Sequence, residues 1–372
     1  MRILRVAQKL YPESKGGGAY HVHAMSRDQA AMGHDVTVLT VGDGPPQEDR
    51  DGYTVVRKRA LVEPLGNGIS PHAAWYLRRQ DEFDVVHAHS HLYFSTNLAA
   101  LARRLGETPL AITNHGLYSQ TAPKRVFEAY LRTLGRWTFN STDVVFCYSD
   151  VDRERLRAFG VGSPVEVVPN GIDTDRFAPD GPESDLIDDS PAVLFAGRLV
   201  DGKRPTDAVR TLASVRARGI DATLYVAGDG SLEPEMRSIA ADRGVTDAVR
   251  FLGHVPYDEM PSVFRAVDAL LLPSRDEGMP RTVLEALASG TPVVVSDLPQ
   301  LEWIEDHRGR TVPVGDVEQF AEALDELLSD AETTPRRGSR QSLLPKNLEW
   351  ETTVTKTTRH LAGLVNRGSR VP

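Results

Sequence analysis

Short aliphatic runs without polar alternation recur along the chain, separated by stretches with a helical period. In the first half these runs are Ile3–Ala7, Val36–Thr40, Val85–His89, Leu110–Asn114 and Val144–Tyr148. In the second half they are Ala192–Ala196, Thr223–Ala227, Val249–Leu252, Ala269–Pro273 and Pro292–Ser296. A run apolar on both faces fits a parallel strand covered by helices on both sides. Strand and helix alternate throughout, which predicts an α/β protein with two open, doubly wound parallel sheets. The break between them falls after Val165–Val168, where Pro169-Asn170-Gly171 signals a turn and an acidic Pro/Gly/Ser stretch runs from Pro179 to Ser190. The expected domains are 1–172 and 190–345, followed by 346–372 with a helix from about Trp350 to Val365. Thr333–Ser342 reads as polar and irregular.

Composition narrows the class. With 372 residues, 40% hydrophobic and 26% charged, each half can bury a core of useful size. A formal net charge of −9 argues against a nucleic-acid binder. Cys147 is the single cysteine, so neither an intramolecular disulfide nor a thiolate metal cluster can form; its apolar neighbours predict an inert buried thiol. The first apolar run is too short for a signal peptide, and no stretch of eighteen apolar residues exists to span a membrane, so the cytoplasm is the expected compartment.

The strongest chemical signal is Ser274-Arg275-Asp276-Glu277-Gly278-Met279-Pro280-Arg281-Thr282-Val283-Leu284-Glu285-Ala286. It follows a predicted strand, at the carboxyl edge where parallel sheets bind ligands. Gly278 permits an unusual turn, Pro280 suits the first helical position, and the amides of Arg281, Thr282 and Val283 would form an anion site. Glu277 before this site and Glu285 on the helix can each accept two hydrogen bonds from a diol. Together they suit a sugar–diphosphate–ribose ligand, although a capped helix with a solvated glutamate explains the same letters.

Three further segments stand at strand ends. Gly197-Arg198-Leu199-Val200-Asp201-Gly202-Lys203 offers Arg198 and Lys203 to a diphosphate, or two ordinary surface charges. Gly16-Gly17-Gly18 opens a helix over Ala19–Met32 and lets a ligand approach the backbone. It lacks the dinucleotide spacing, so a nicotinamide site gains little support. His115, in Asn114-His115-Gly116, can donate to a substrate hydroxyl or be satisfied by its own loop.

Two patterns imitate metal sites. His87, His89 and His91 alternate but lack an accompanying carboxylate at a ligand spacing. Asp173-Thr174-Asp175 sits in the expected linker, where capping or solvation is the better reading. The basic amphipathic stretch from Lys124 to Trp137 carries Arg125, Arg132 and Arg136 among Phe127, Tyr130, Leu131 and Leu134. It either docks peripherally on an anionic membrane surface or packs its apolar side on the sheet, and the second is favoured.

Nearly the whole chain resembles the retaining glycosyltransferases of family 4, which have the GT-B architecture of two Rossmann-like domains facing across a cleft. The most specific residues are Glu277-Gly278-Met279-Pro280 through Glu285-Ala286-Leu287-Ala288-Ser289-Gly290-Thr291-Pro292. Gly16-Gly17, Asp84-Val85-Val86-His87-Ala88-His89, Val168-Pro169-Asn170-Gly171, Gly197-Arg198-Leu199 with Lys203, and Ala227-Gly228-Asp229-Gly230 follow in the family's order. The resemblance implies a hexosyl transfer from a nucleoside-diphosphate sugar, with no metal and no cofactor beyond that co-substrate. The acceptor would be a sugar, a lipid-linked glycan or a small hydroxyl compound.

Residue by residue, Glu277 would bind hydroxyls of the transferred sugar and Glu285 the ribose diol. Arg198 and Lys203 would neutralise the diphosphate, aided by Gly16, Gly17, Gly278, Met279 and the amides of Arg281, Thr282 and Val283. His115 would contact the donor sugar, His254 and Val255 would border the base, and Trp350 would open a helix crossing back onto domain one. Arg281 stands where the family is commonly apolar or small, so it is expected to reach sugar or acceptor. The competing readings are an epimerase or hydrolase of the same architecture and a non-catalytic nucleotide-sugar-binding protein.

Overall fold

The computed structural model describes residues 1–117, 124–329 and 340–368; the polar stretch Thr333–Ser342 lies outside them as far as residue 339. The described residues form two compact units, the first comprising 1–117 and 124–169 together with those from Glu351 onward, the second running from Asn170 to Trp350.

Unit 1 contains β1 (Arg2–Val6), α1 (Gly17–Ala31), β2 (Asp35–Val41), β3 (Gln47–Arg50), β4 (Tyr53–Lys58), α2 (Pro71–Leu77) and β5 (Val85–His89). It continues with α3 (Phe94–Leu105), β6 (Leu110–Thr113), α4 (Lys124–Tyr130), α5 (Arg136–Phe139), β7 (Val144–Cys147), α6 (Asp150–Ala158) and β8 (Val165–Val167). The sheet order is β3-β4-β2-β1-β5-β6-β7-β8, parallel except for β3. Alternate strand residues face opposite sides, and both sides are buried. Leu4, Val6, Val86, Ala88 and Ile112 join one core; Ile3, Val38, Val85 and Phe146 join the other.

Unit 2 contains β9 (Ala192–Ala196), α7 (Pro205–Ala217), β10 (Thr223–Ala227), α8 (Glu233–Asp242), β11 (Val249–Gly253) and α9 (Met260–Ala266). Then come β12 (Ala269–Leu272), α10 (Arg281–Ala288), β13 (Val293–Ser296), β14 (Gly309–Val312) and α11 (Val317–Ser329). Its sheet is wholly parallel, in the order β11-β10-β9-β12-β13-β14. The last helix, α12 (Trp350–Gly368), starts at the end of unit 2. In unit 1 its Leu361 enters the core beside Val22, and Thr358 accepts a hydrogen bond from Gln29 at 2.8 Å.

Three strands, β3, β4 and β14, fall outside the apolar runs of the sequence analysis. Gln47–Arg50 is entirely polar because β3 is an edge strand, paired antiparallel with β4. The hairpin had its own signal, Asp51-Gly52, whose φ angles of 45° and 83° match the two left-handed positions of a type I′ turn. β14 is a four-residue edge strand with a polar centre.

The expected linker is a correction. Residues 173–189 are packed on unit 2: Phe177 is fully buried, and Arg265 donates to the carbonyls of Pro182 (2.9 Å) and Ala178 (3.2 Å). Tyr225 donates to Asp188 at 2.7 Å while its oxygen accepts from the Asp189 amide at 2.9 Å. Acidic composition suggested solvent, but arginine and tyrosine supply the partners. Asp173 accepts from the amides of Asp175 and Arg176 at 3.2 and 3.1 Å, so it caps a turn.

At the carboxyl edge of unit 2 the backbone is tight. A Cβ on Gly228, whose φ is 142°, would lie 2.0 Å from the Gly197 carbonyl oxygen. Gly228→Ala is therefore expected to destabilise unit 2 by ~3 kcal/mol or more through strain and displaced backbone. Gly363 in α12 has nothing within 4 Å of an added Cβ, so Gly363→Ala should stabilise by about 0.5–1 kcal/mol. Thermal unfolding of the two variants should move in opposite directions; equal midpoints would refute the close approach.

Candidate active site

In unit 2 the strand order reverses between β9 and β12, and the loops leaving these two strands diverge there. The β9 loop is laced to its neighbours by backbone bonds: Gly197 to Ala227 (2.9 Å), Leu199 to Asp229 (2.9 Å) and, next door, Gly228 to Gly253 (2.7 Å). A single 3-10 turn over Asp201–Lys203 follows, and Arg204 takes a left-handed conformation before Pro205 opens α7. This geometry sends Lys203 across the reversal point to Glu277, with Nζ 2.5 Å from Oε1.

Glu277 is only 3% exposed. A carboxylate that deep requires a cation, and Lys203 supplies it. The β12 loop is fixed from several sides. The Arg275 amide donates to Gly202 (2.9 Å), Gln300 donates to the Glu277 carbonyl, and Asn170 donates to the Met279 carbonyl (3.3 Å). Gly278 and Met279 are buried in this loop, whereas Arg198 is exposed.

The helix that follows differs from expectation at two positions. Pro280 is the cap residue, with φ −69° and ψ 115°, so α10 starts at Arg281, one residue later than expected. The extended ψ breaks the helical run at proline. The Val283 amide is already bonded to the Pro280 carbonyl at 3.2 Å, so of the three amides expected to face an anion it is the one already engaged within the helix. The Thr282 Oγ1 is buried and lacks a hydrogen-bond partner.

Arg281 is also a correction. It does not extend outward to a sugar or acceptor; it is buried beneath the site. It donates to the Gly171 carbonyl (3.3 Å) and to Tyr257 Oη (3.0 Å), and its guanidinium lies 5.9 Å from the Trp350 ring centre. Tyr257 in turn donates to Glu285 Oε1 at 3.1 Å, and Arg281 Nε stands 3.5 Å from the same oxygen. Burial pushes the Glu285 carboxyl above its ordinary range, against the opposing pull of Arg281 and Tyr257. Tyr257 was missed in the sequence, although it lies two residues past Val255. His254 is exposed and Val255 buried at the end of β11.

Unit 1 gathers a second set. Gly16 caps α1 with φ 112°, and the helix starts at Gly17, two residues before the predicted Ala19. A Cβ on Gly18 would lie 3.9 Å from His115 Nδ1, so the glycine run and the histidine adjoin. Both ring nitrogens of His115 have protein partners: Nδ1 is 2.6 Å from Tyr148 Oη and Nε2 is 3.1 Å from His89 Nδ1. His21 approaches its ring edge-on at 5.2 Å. Tyr148, His89 and His21 were not assigned to the site from sequence, though the shared face of His87 and His89 was the available signal.

Burial, with Arg5 and neighbouring imidazoles, drives His87 and His89 well below the ordinary histidine range, so both are neutral. His91 is lowered to about 3 by burial and belongs elsewhere, against Phe139 and Tyr130. Among the described residues no group of three His, Cys, Asp or Glu is arranged to hold a metal. Cys147 is buried, and burial raises its thiol to about 12. No helix among the described residues is long and apolar enough to cross a membrane.

The relatives agree with this architecture. Residues 15–176 match Glycosyltransferase Family 4, and residues 190–330 match Glycosyl transferases group 1. The chain is 30% identical to a glycogen synthase of Mycobacterium tuberculosis over 100% of its own length and 97% of the relative's. It is 31% identical to a GDP-mannose-dependent alpha-(1-6)-phosphatidylinositol monomannoside mannosyltransferase of the same species, over 72% of each chain. Among solved structures, Anabaena Alr3699/HepE in complex with UDP and glucose superposes with a TM-score of 0.81 at 19% identity, covering 98% of this chain and 100% of that one. Two Rossmann-like parallel-sheet domains and matches along both halves establish that the chain belongs to the family 4 (group 1) glycosyltransferases and has the GT-B fold.

Proposed function

We propose that the protein moves a hexosyl group from a nucleoside-diphosphate sugar to a hydroxyl acceptor, with retention at the anomeric carbon and without a metal ion. The observation that carries this reading is the Lys203–Glu277 pair at the point where the unit 2 sheet reverses, beside the first turn of α10. It sets a cation beside the carboxylate that this reading assigns to the transferred sugar. Relatives that use GDP-mannose or bind UDP and glucose support the donor class.

In this reading Lys203, Arg198 and the Arg281 and Thr282 amides take the diphosphate. As the anomeric C–O bond breaks, negative charge accumulates on the leaving phosphate, and fixed donors favour that state over the bound donor. The acceptor oxygen bonds to the anomeric carbon on the same face, and its proton passes to the departing phosphate oxygen. Gly16 and Gly17 assist the phosphates, and His115, oriented by Tyr148 and His89, serves the transferred sugar. Arg198→Ala and Lys203→Ala should each lower turnover by ~10²-fold. Mass detection of nucleotide and product separates transfer from hydrolysis, epimerisation and mere binding. Unchanged turnover in both variants, or complete loss with EDTA restored by Mg²⁺, would overturn the assignment.

The two glutamates separate by position. Glu285 sits on the helix with Tyr257 and is assigned to the ribose, so its binding energy is shared by ground and transition states. Glu285→Gln should raise the donor KM and weaken nucleoside-diphosphate binding while sparing kcat. Because the folded state raises this carboxyl, Glu285 opposes folding once pH exceeds its ordinary range, and its stability contribution improves on acidification. The glutamine variant should therefore keep or raise the unliganded melting temperature at neutral pH. Glu277→Gln should reduce kcat yet leave diphosphate affinity at or above wild type, since Lys203 loses a competing carboxylate. Each lost bond to a charged group corresponds to about 1.5–3 kcal/mol. Calorimetry and steady-state kinetics read the split, and the reverse pattern would reverse the donor's direction.

Peripheral contact with an anionic membrane is part of the same proposal. Phe127 and Leu131 pack inward, as favoured from sequence, but Val126, Leu134 and Trp137 are exposed beside Arg125, Arg132 and Arg136. The Lys124 side chain lies outside the described residues. Phosphatidylglycerol vesicles should sediment the protein and high salt should release it; equal sedimentation with neutral phosphatidylcholine vesicles would leave the stretch a structural one.

A further inference from the structure

The two oxygens of Glu285, whose side chain is 4% exposed, are treated differently. Tyr257 and Arg281 both address Oε1, the phenol at 3.1 Å and the guanidinium Nε at 3.5 Å. Oε2 has no partner among the described residues, yet it is not sealed from solvent. It is the oxygen that a ligand can reach.

The direction of the phenol hydrogen follows from its neighbours. Tyr257 Oη accepts from Arg281 Nη2 at 3.0 Å. A guanidinium only donates and a carboxylate only accepts, so the one phenol hydrogen goes to Glu285. The ring itself is held: Phe177 meets it edge-on at 5.5 Å, and the Arg176 guanidinium lies 4.7 Å from its centre. Arg281 is fixed at its far side by the Gly171 carbonyl at 3.3 Å. Anchored through Oε1, the carboxylate keeps Oε2 in one place, where it can accept from the hydroxyls of a diol. A ligand without those hydroxyls leaves a buried acceptor unmatched, and sites of this kind reject such ligands strongly.

We propose that Tyr257 is a positioning residue for Glu285: it anchors one carboxylate oxygen, presents the other to the ribose hydroxyls, and so makes the site select a ribonucleotide over a deoxyribonucleotide. The inference rests on the assignment of Glu285 to the ribose made above.

The test compares the whole protein with Tyr257→Phe, which keeps the ring and removes only its hydroxyl. Calorimetry with UDP, GDP and ADP identifies the ribonucleotide that binds, and its 2′,3′-dideoxy counterpart is then measured. The wild type should prefer the ribonucleotide by about tenfold or more. Tyr257→Phe should cut that preference about fivefold and leave dideoxynucleotide affinity within about twofold. An unchanged preference, or an equal loss for both nucleotides, would overturn the positioning role.

A second arm needs no ligand. Burial holds the Glu285 carboxyl above its ordinary range, while Arg281, Tyr257 and the charge of Arg176 pull it back. Without the phenol it rises further, so Tyr257→Phe should cost stability at neutral pH and recover part of that cost on acidification, as the carboxyl takes up a proton. In a Glu285→Gln background the cost should not vary with pH. Urea unfolding reads this cycle, and a cost independent of pH in the protein that retains Glu285 would refute the anchor. A pH-dependent cost in a protein that binds no ribonucleotide would keep the anchor but overturn the selectivity, together with the ribose assignment beneath it.

Discussion

A carboxylate with 3% of its side chain exposed cannot stand alone in a protein interior, and at Glu277 the requirement organises the site. Its cation comes from Lys203, on the loop of a different strand. The pair can form only if β9 and β12 are neighbours, the 3-10 turn at Asp201–Lys203 is kept, and the β12 loop is held by Gln300 and Asn170. Breaking such a buried pair by removing one partner costs about 3–5 kcal/mol, which explains the density of backbone bonds lacing these loops. The same loops bring the first turn of α10 beside the pair, so one electrostatic demand sets both the cation and the amides.

Glu285 shows the opposite economy. Its carboxyl is raised by burial, and the Arg281–Tyr257 chain relieves that only in part. A buried carboxyl that opposes folding is the kind of group that clusters at functional sites. Unit 1 has a similar arrangement around His115, where a tyrosine and a neutral histidine occupy both ring nitrogens and fix its orientation. In both units the residue assigned to the donor is held by neighbours that carry no obvious motif.

Much of the framework was legible because short-range patterns encode it. Ala192–Ala196 and Thr223–Ala227 coincide with β9 and β10, since runs apolar on both faces have few other uses. The polar edge strand β3 escaped because burial is the only property that apolar runs report, although Asp51-Gly52 carried the hairpin signal. The acidic segment before Ser190 misled for a related reason: composition reports average solvation, not the particular arginine and tyrosine that pair with it.

What the sequence by itself determined was the succession of strands and helices, their grouping into two parallel-sheet α/β domains, and the placement of Glu277 and Glu285 around one loop and helix start. Those features depend on neighbours a few residues apart. Only the tertiary structure decided that Lys203 meets Glu277 across 74 residues of chain, that Tyr257 reaches Glu285 across 28, and that Arg281 turns inward. Strand order brings these groups together, and strand order follows from how whole helices and sheets pack. A period of two or of 3.6 residues says which face of an element is buried, but not which element lies against it.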